Sequence, residues 1–244
     1  MSVSDKENEA LRVAAGAAAA DLIEPGMVVG LGTGRTAEAF MLRLAERVRA
    51  GLSVYGIATS YRTAAFARNL DIVLTDLEVY PSPDIAVDGA DEIDGSLRMI
   101  KGGGGALLRE KIVACAAQQM LVLVDGGKVV ETLGAFALPI EVVDFGVAAT
   151  TKHIARAVAA CGLSGRLDVR GGDPVPFRTD GGNLIIDASF ERIDDPERLA
   201  GALKAVPGVV EHGLFLGIAS RAIVARPGGI EWMETPRKTE TDPS

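Results

Sequence analysis

Two rhythms alternate along the first half of the chain: short runs in which nearly every position is apolar, and longer stretches with apolar residues three or four positions apart. The first pattern marks strands buried on both faces, the second amphipathic helices. Glu9 to Leu22 reads as an alanine-rich helix closed by the turn Glu24-Pro25-Gly26. Met27 to Leu31 is a strand that runs into Gly32-Thr33-Gly34-Arg35-Thr36, and a helix follows from Ala37 to Val48. Ser53 to Ala58 is the next strand, Ser60 the cap of a helix reaching Asn69, and Ile72 to Leu74 a further short strand. Pro83 to Asp88 is a strand ending in acid. Met99-Ile100-Lys101 leads into a run of glycines, Ala106 to Gln118 is helical, and Met120 to Asp125 is a strand. Strand, turn and helix in repetition predict an α/β fold on a parallel sheet.

After Leu138-Pro139 the order changes to strand (Ile140 to Val143), helix (Thr150 to Cys161), strand (Arg166 to Arg170), strand (Asn183 to Phe190), helix (Pro196 to Val206) and strand (Val209 to Phe215). That is the split β-α-β-β-α-β order of a ferredoxin-like unit. Ala222 to Ala225 and Ile230 to Met233 return to the first sheet, and Thr235 to Ser244 reads as a loose polar tail. The predicted architecture is a Rossmann-like parallel-sheet domain, residues 1–134 and 216–244, with an inserted ferredoxin-like α+β domain, residues 135–215.

Charge narrows the function. The balance of 25 Lys+Arg against 33 Asp+Glu gives a net charge of −8, which argues against a nucleic-acid partner, because phosphate neutralisation needs a basic face. No apolar run approaches the ~20 residues of a membrane span, and the polar, acidic start is unlike a secretory or transit segment. Cys115 and Cys161 read as two reduced core thiols of a cytoplasmic protein. His153 and His212, the only histidines, lack a neighbouring nucleophile or partner ligands and read as surface or satisfied polar residues. Proton transfer therefore falls to carboxylates and lysines.

Glycine changes the picture most. There are 29, and they cluster at strand ends, where backbone can approach a ligand closely. Gly32-Thr33-Gly34-Arg35-Thr36 at a strand-to-helix turn is either an anion site of amide N–H groups and hydroxyls or a tight turn with a capping threonine. It is no Walker loop. Counted from Gly30, a dinucleotide fingerprint would place its third glycine at Arg35. Asp88-Gly89-Ala90-Asp91-Glu92-Ile93-Asp94 follows an apolar strand, so its carboxylates point into the crevice of the sheet, unless they form a solvated turn or a Mg²⁺ site. Lys101 precedes four glycines, Gly102 to Gly105, and a helix whose first turns carry Glu110. Four glycines in a row are costly in chain entropy and point to close backbone approach to a small polar ligand, while Glu110 by itself also suits an exposed helix start. Asp125-Gly126-Gly127-Lys128 places a lysine either on a ligand or on the surface. Gathered at one crevice, this inventory of amides, hydroxyls, carboxylates and lysines suits a small phosphorylated sugar undergoing acid–base chemistry.

With these motifs, the chain resembles ribose-5-phosphate isomerase of the A type over nearly its full length. The resemblance is carried by Leu31 to Thr36, Ala58-Thr59-Ser60, Val87 to Asp94, Lys101 to Lys111, Leu138 to Val142, Thr179-Asp180-Gly181-Gly182-Asn183 and Pro207 to Phe215. It implies interconversion of ribose 5-phosphate and ribulose 5-phosphate through an enediolate, with no cofactor and no metal, by a cytoplasmic homodimer or tetramer. It further implies Glu110 as the base moving hydrogen between C2 and C1, with Asp88 and Lys101 assisting ring opening and polarising the carbonyl. Thr33, Gly34, Arg35, Thr36, Asp88, Gly89, Ala90, Asp91, Lys101, Gly102, Gly103, Gly104 and Lys128 are its substrate-contacting positions. Arg12 stands where the family often has a phosphate-binding lysine, and could grip phosphate bidentately. Arg35 replaces the family's usual serine, and Gly127 the serine that commonly precedes the lysine. The competing readings are a sugar-phosphate-sensing module without catalysis and an acyl-CoA transferase using a covalent glutamate; the first would not need Glu110 and Lys101.

Overall fold

A computed structural model describes residues 3–172 and 175–234, with side chains from residue 7 onward. The predicted tail from Thr235 to Ser244 lies outside the described residues. The elements in chain order are α1 (Val3–Ala20), β1 (Val28–Leu31), α2 (Arg35–Arg49), β2 (Tyr55–Ala58), α3 (Tyr61–Asn69), β3 (Ile85–Gly89), β4 (Glu92–Ile93), β5 (Met99–Ile100), α4 (Leu107–Ala116) and β6 (Met120–Asp125). They continue as β7 (Leu138–Val142), α5 (Val147–Ala160), β8 (Arg166–Val169), β9 (Leu184–Ser189), α6 (Pro196–Lys204), β10 (Val209–His212), β11 (Leu214–Phe215), β12 (Arg221–Arg226) and β13 (Gly229–Glu234).

The main sheet has the order β13-β12-β6-β3-β1-β2. Its neighbours pair in parallel except for the hairpin of β12 and β13 at one edge. Burial on both faces explains the continuous apolar runs. Along β6, Leu121 and Leu123 pack with Phe40, Met41 and Leu44 of α2 on one side, while Met120, Val122 and Val124 pack with Val113 and Ala114 of α4 on the other. The second sheet, β10-β7-β9-β8, is antiparallel and carries the expected ferredoxin-like order. Its apolar face, with Ile140, Val142, Leu184 and Ile186, is covered by Ile154 and Val158 of α5 and Leu199 and Leu203 of α6.

Three expectations need correction. Ile72 to Leu74 is no strand, since only Leu74 forms an isolated bridge, to Gly56. Val209 to Phe215 is not one strand but two: β10 pairs with β7, whereas β11 joins β5 and β4 in a separate three-stranded sheet. The break falls at Gly213, whose N–H donates to the Pro139 carbonyl at 2.7 Å while its own carbonyl accepts from the Lys101 N–H at 2.9 Å. A Cβ there would run into the Lys101 carbonyl, so only glycine lets three segments meet beside Lys101. The two cysteines are free thiols but not core residues, Cys115 being exposed and Cys161 half-buried. Leu107, Glu110, Val113 and Ala114 form the buried face of α4, and Cys115 falls off it.

Candidate active site

The chain leaves β1 toward β2 on one side and later returns to β3 on the other. Loops that diverge at such a reversal leave a crevice beyond the strand ends. Here it is a cleft of about 340 Å³. Its lining includes Arg12, Thr33, Gly34, Arg35, Thr36, Gly89, Ala90, Asp91, Lys101, Gly102, Gly103, Gly104, Glu110 and Lys128, with Asp88 buried directly beneath. The four motifs read from sequence thus converge.

At one end, α2 starts after Gly34, which offers no side-chain acceptor, so the alternative of a tight turn with a capping threonine does not hold. The first-turn amides of α2 remain available to an anion where Gly34, Arg35 and Thr36 line the cleft. The Thr33 hydroxyl is turned inward, 2.9 Å from each of the Thr59, Ser60 and Thr63 hydroxyls. Ser60 in turn caps α3 by accepting from the Thr63 N–H. This hydroxyl cluster braces the turn from behind. Around it stand cations: Arg12 is paired with Glu9 at 3.1 Å, whereas Arg35 and Lys128 have no ion-pair partner among the described residues.

At the other end, the Lys101 ammonium lies 3.0 Å from Asp88 Oδ2 and 3.4 Å from Glu110 Oε2, and donates to the Gly89 carbonyl at 2.6 Å. Asp88 Oδ1 accepts from the Gly89 N–H at 2.7 Å and the Thr33 N–H at 3.2 Å. A Cβ on Gly32 would collide with the Asp88 carboxylate, so the first glycine of the turn is required by the acid opposite. Asp88, Lys101 and Glu110 are each at most 4% exposed. One buried cation therefore faces two buried carboxylates. Burial, reinforced by the Asp88 charge, pushes the Glu110 carboxyl from 4.5 up to about 8, against the pull of Lys101. Burial raises Asp88 too, opposed by Lys101 and its two amide donors. Burial disfavours the charge on Lys101, but Asp88 and Glu110 outweigh it and hold the lysine firmly protonated. Asp88 Oδ2 and Glu110 Oε2 have no aligned hydrogen-bond donor among the described residues.

Not every acid of the heptad enters the cleft. Asp91 does, accepting from the Gly103 N–H at 2.8 Å. Glu92 instead accepts the backbone N–H groups of Gly134 and Phe136, and Asp94 holds Ser96, Arg98 and the Arg98 guanidinium. Among the described residues no three His, Cys, Asp or Glu come together as a metal site. His153 is exposed as expected. His212 is buried instead of exposed, at 4%, and its Nδ1 has no hydrogen-bond partner among the described residues. Burial, with Lys111 adding repulsion, lowers it to about 4, so it is a neutral imidazole away from the cleft. Sequence reasoning missed Arg62, Leu123 and Val124 in the cleft wall, and it placed Asp125 in the fourth motif without giving it a ligand. Arg62 was within reach of the same logic, being in the first turn of the helix that follows β2.

Residues 55–229 match the family model of ribose 5-phosphate isomerase A (phosphoriboisomerase A). The chain is 55% identical over 227 residues to the ribose-5-phosphate isomerase A of Brucella suis, covering 93% of this chain and 98% of that one. With the Sinorhizobium fredii protein of the same name it shares 53% over 219 residues, 90% and 95% of the two chains. Among solved structures, ribose 5-phosphate isomerase from Plasmodium falciparum superposes with a TM-score of 0.88 at 33% identity, covering 93% and 98% of the two chains. A D-ribose-5-phosphate isomerase in complex with phospho-erythronic acid superposes with a TM-score of 0.85 at 38% identity, again over 93% and 98%. Sequence and architecture agree over nearly the whole length: the chain belongs to the ribose 5-phosphate isomerase A family.

Proposed function

We propose that this chain interconverts D-ribose 5-phosphate and D-ribulose 5-phosphate, with Glu110 as the group that carries the proton. The observation that supports this best is a buried carboxyl lifted to about 8, set 3.4 Å from a buried ammonium in the cleft. A general base works best with a pKa near the operating pH, and an ordinary exposed glutamate is too weak. The phosphate sits at the start of α2, held by the free amides of that turn, by Thr36 and by the Arg35, Lys128 and Arg12 cations. The open-chain sugar then reaches toward Lys101. Glu110 takes the hydrogen from C2 of the aldose, the carbonyl oxygen at C1 gathers the charge, and Lys101 stabilises that oxyanion. Return of the proton from Glu110 to C1 gives the ketose, while the oxygens exchange their proton through Lys101 and Asp88. Asp88 keeps Lys101 charged and, with it, assists opening of the furanose ring. The relative's bound ligand is an acid phosphate whose carboxylate resembles an enediolate, the form such a site should bind most tightly.

A direct assay with ribose 5-phosphate tests this reading. Glu110→Gln should fold and lose at least about a hundredfold in kcat; near-normal turnover would remove Glu110 from the role. The sensing-module reading is disfavoured, because binding alone gives no reason to bury Glu110 beside Lys101. We place the enzyme in the cytoplasm, in keeping with its two unpaired thiols. We assign it a homodimer or tetramer, supported by the exposed Tyr55 and Tyr80 rings stacked at 5.6 Å near Val73 and Val79 at the β2 edge. We divide the chain as read from the sequence, 135–215 forming the inserted domain around the four-stranded sheet.

A further inference from the structure

Lys101 and Glu110 are joined by four consecutive glycines and the start of α4. Such a turn has no side chains to fix itself, so contacts from outside decide its shape. On the carbonyl side those contacts come from the inserted unit. Arg170, one residue past β8, donates through Nη1 to the carbonyls of Gly102 at 2.9 Å and Gly103 at 3.2 Å. Its Nε and Nη2 are gripped by the two Asp187 oxygens, on the neighbouring strand β9, at 2.8 Å and 2.5 Å. Asp91 holds the Gly103 N–H from the cleft side. The glycine turn is thus clamped from both sides, by a cleft acid on its amide and by a guanidinium on its carbonyls. A planar fork held along one edge by a carboxylate is a rigid donor along the other. The pair is also shielded from solvent, the side chains of Arg170 and Asp187 being only 17% and 25% exposed.

We propose that Arg170, held by Asp187, is a positioning residue for the isomerisation. It fixes the carbonyl side of the Gly102-Gly103 turn and thereby sets the spacing of Lys101 and Glu110 across the sugar. The inference rests on the roles given to those two residues above. It gives the inserted unit a part in turnover without a substrate contact of its own, and it leaves the anion end of the cleft untouched.

The test measures kcat and KM for ribose 5-phosphate, and inhibition by inorganic phosphate as a probe of the anion end alone, in Arg170→Ala, Arg170→Lys and Asp187→Asn. Misplacing reacting groups by a fraction of an ångström is expected to lower kcat of Arg170→Ala about tenfold or more. KM and the phosphate inhibition constant should stay within about twofold. Arg170→Lys should recover part of the loss, because an ammonium can still donate to a glycine carbonyl but lacks the planar fork that Asp187 holds. Wild-type kcat in Arg170→Ala overturns the proposal, and so does a parallel loss of phosphate inhibition in a folded Arg170→Ala, which would mark a change of the whole cleft and not of the glycine turn. Should Arg170→Ala fail to fold, the other two variants decide: unchanged kcat in both overturns it. Glu110→Gln in the same assay separates the two levels of the argument. Full turnover there defeats the site reading, whereas an inactive Glu110→Gln beside a fully active Arg170→Ala defeats only the role of Arg170.

Discussion

Replacing Glu110 by glutamine turns the carboxyl into a neutral group of the same shape, close to its own protonated form. In the unfolded chain Glu110 titrates near 4.5, and in the folded cleft near 8. Between those values the folded state holds a proton that the unfolded state releases. The wild type therefore loses stability as pH rises from about 5 to about 8, and the loss levels off above the folded value. Glutamine does not titrate, so the variant escapes the loss. A displacement from 4.5 to about 8, at about 1.4 kcal/mol for each tenfold change in proton affinity, sets a ceiling of about 5 kcal/mol. Relaxation of Lys101 and entry of water reduce it. Each kcal/mol moves the melting temperature of a chain this size by about 2–4 °C. Melting curves of both proteins, recorded without ligand from about pH 5 to about pH 9, should show little difference at the acid end and a growing advantage for Glu110→Gln toward the alkaline end. A difference that is flat with pH, or a variant that is less stable at high pH, would refute the claim that burial and Asp88 strain this carboxylate.

Other outcomes follow from the same geometry. The proposed role requires Glu110 ionised in the free enzyme, so kcat/KM should rise with pH through an apparent value near 8; a limb near 4.5 instead would show an unperturbed carboxyl. Arg35→Ser should raise KM about three- to tenfold with kcat unchanged, because an unpaired cation at the proposed phosphate end is lost. Unchanged KM would mean that the guanidinium points to solvent. Gly32→Ala forces a methyl group against the Asp88 carboxylate. It should cost about 1–3 kcal/mol in stability and lower kcat as well; a melting temperature and kcat equal to wild type would contradict the close approach.

What the sequence made legible was whatever depends on neighbours along the chain. The apolar runs of β1, β3 and β6 and the glycine turns after them are local signals, and the rule that ligands gather at strand ends brought Gly32 to Thr36, Asp88, Lys101 and Glu110 to one place. What it concealed depends on distant partners. Glu92 and Asp94 look like Asp88 in composition, but one is consumed by the amides of Gly134 and Phe136 and the other by Arg98. The break at Gly213 arises from Pro139 and Lys101, far off in sequence. The inward turn of the Thr33 hydroxyl needs Thr59 and Thr63 beside it. The exposure of Cys115 was legible after all, since counting three and four residues from Leu107 and Glu110 leaves it off the buried face of α4.

The claim at the centre is that one side chain, Glu110, moves hydrogen between two adjacent carbons. Ribose 5-phosphate carrying deuterium at C2, followed by mass spectrometry or NMR, tests it without relying on net turnover. The wild type should remove the label from C2, passing it to C1 or to solvent, while folded Glu110→Gln should leave it at C2 over the same time. Loss of the C2 label at the wild-type rate in that variant would contradict the account.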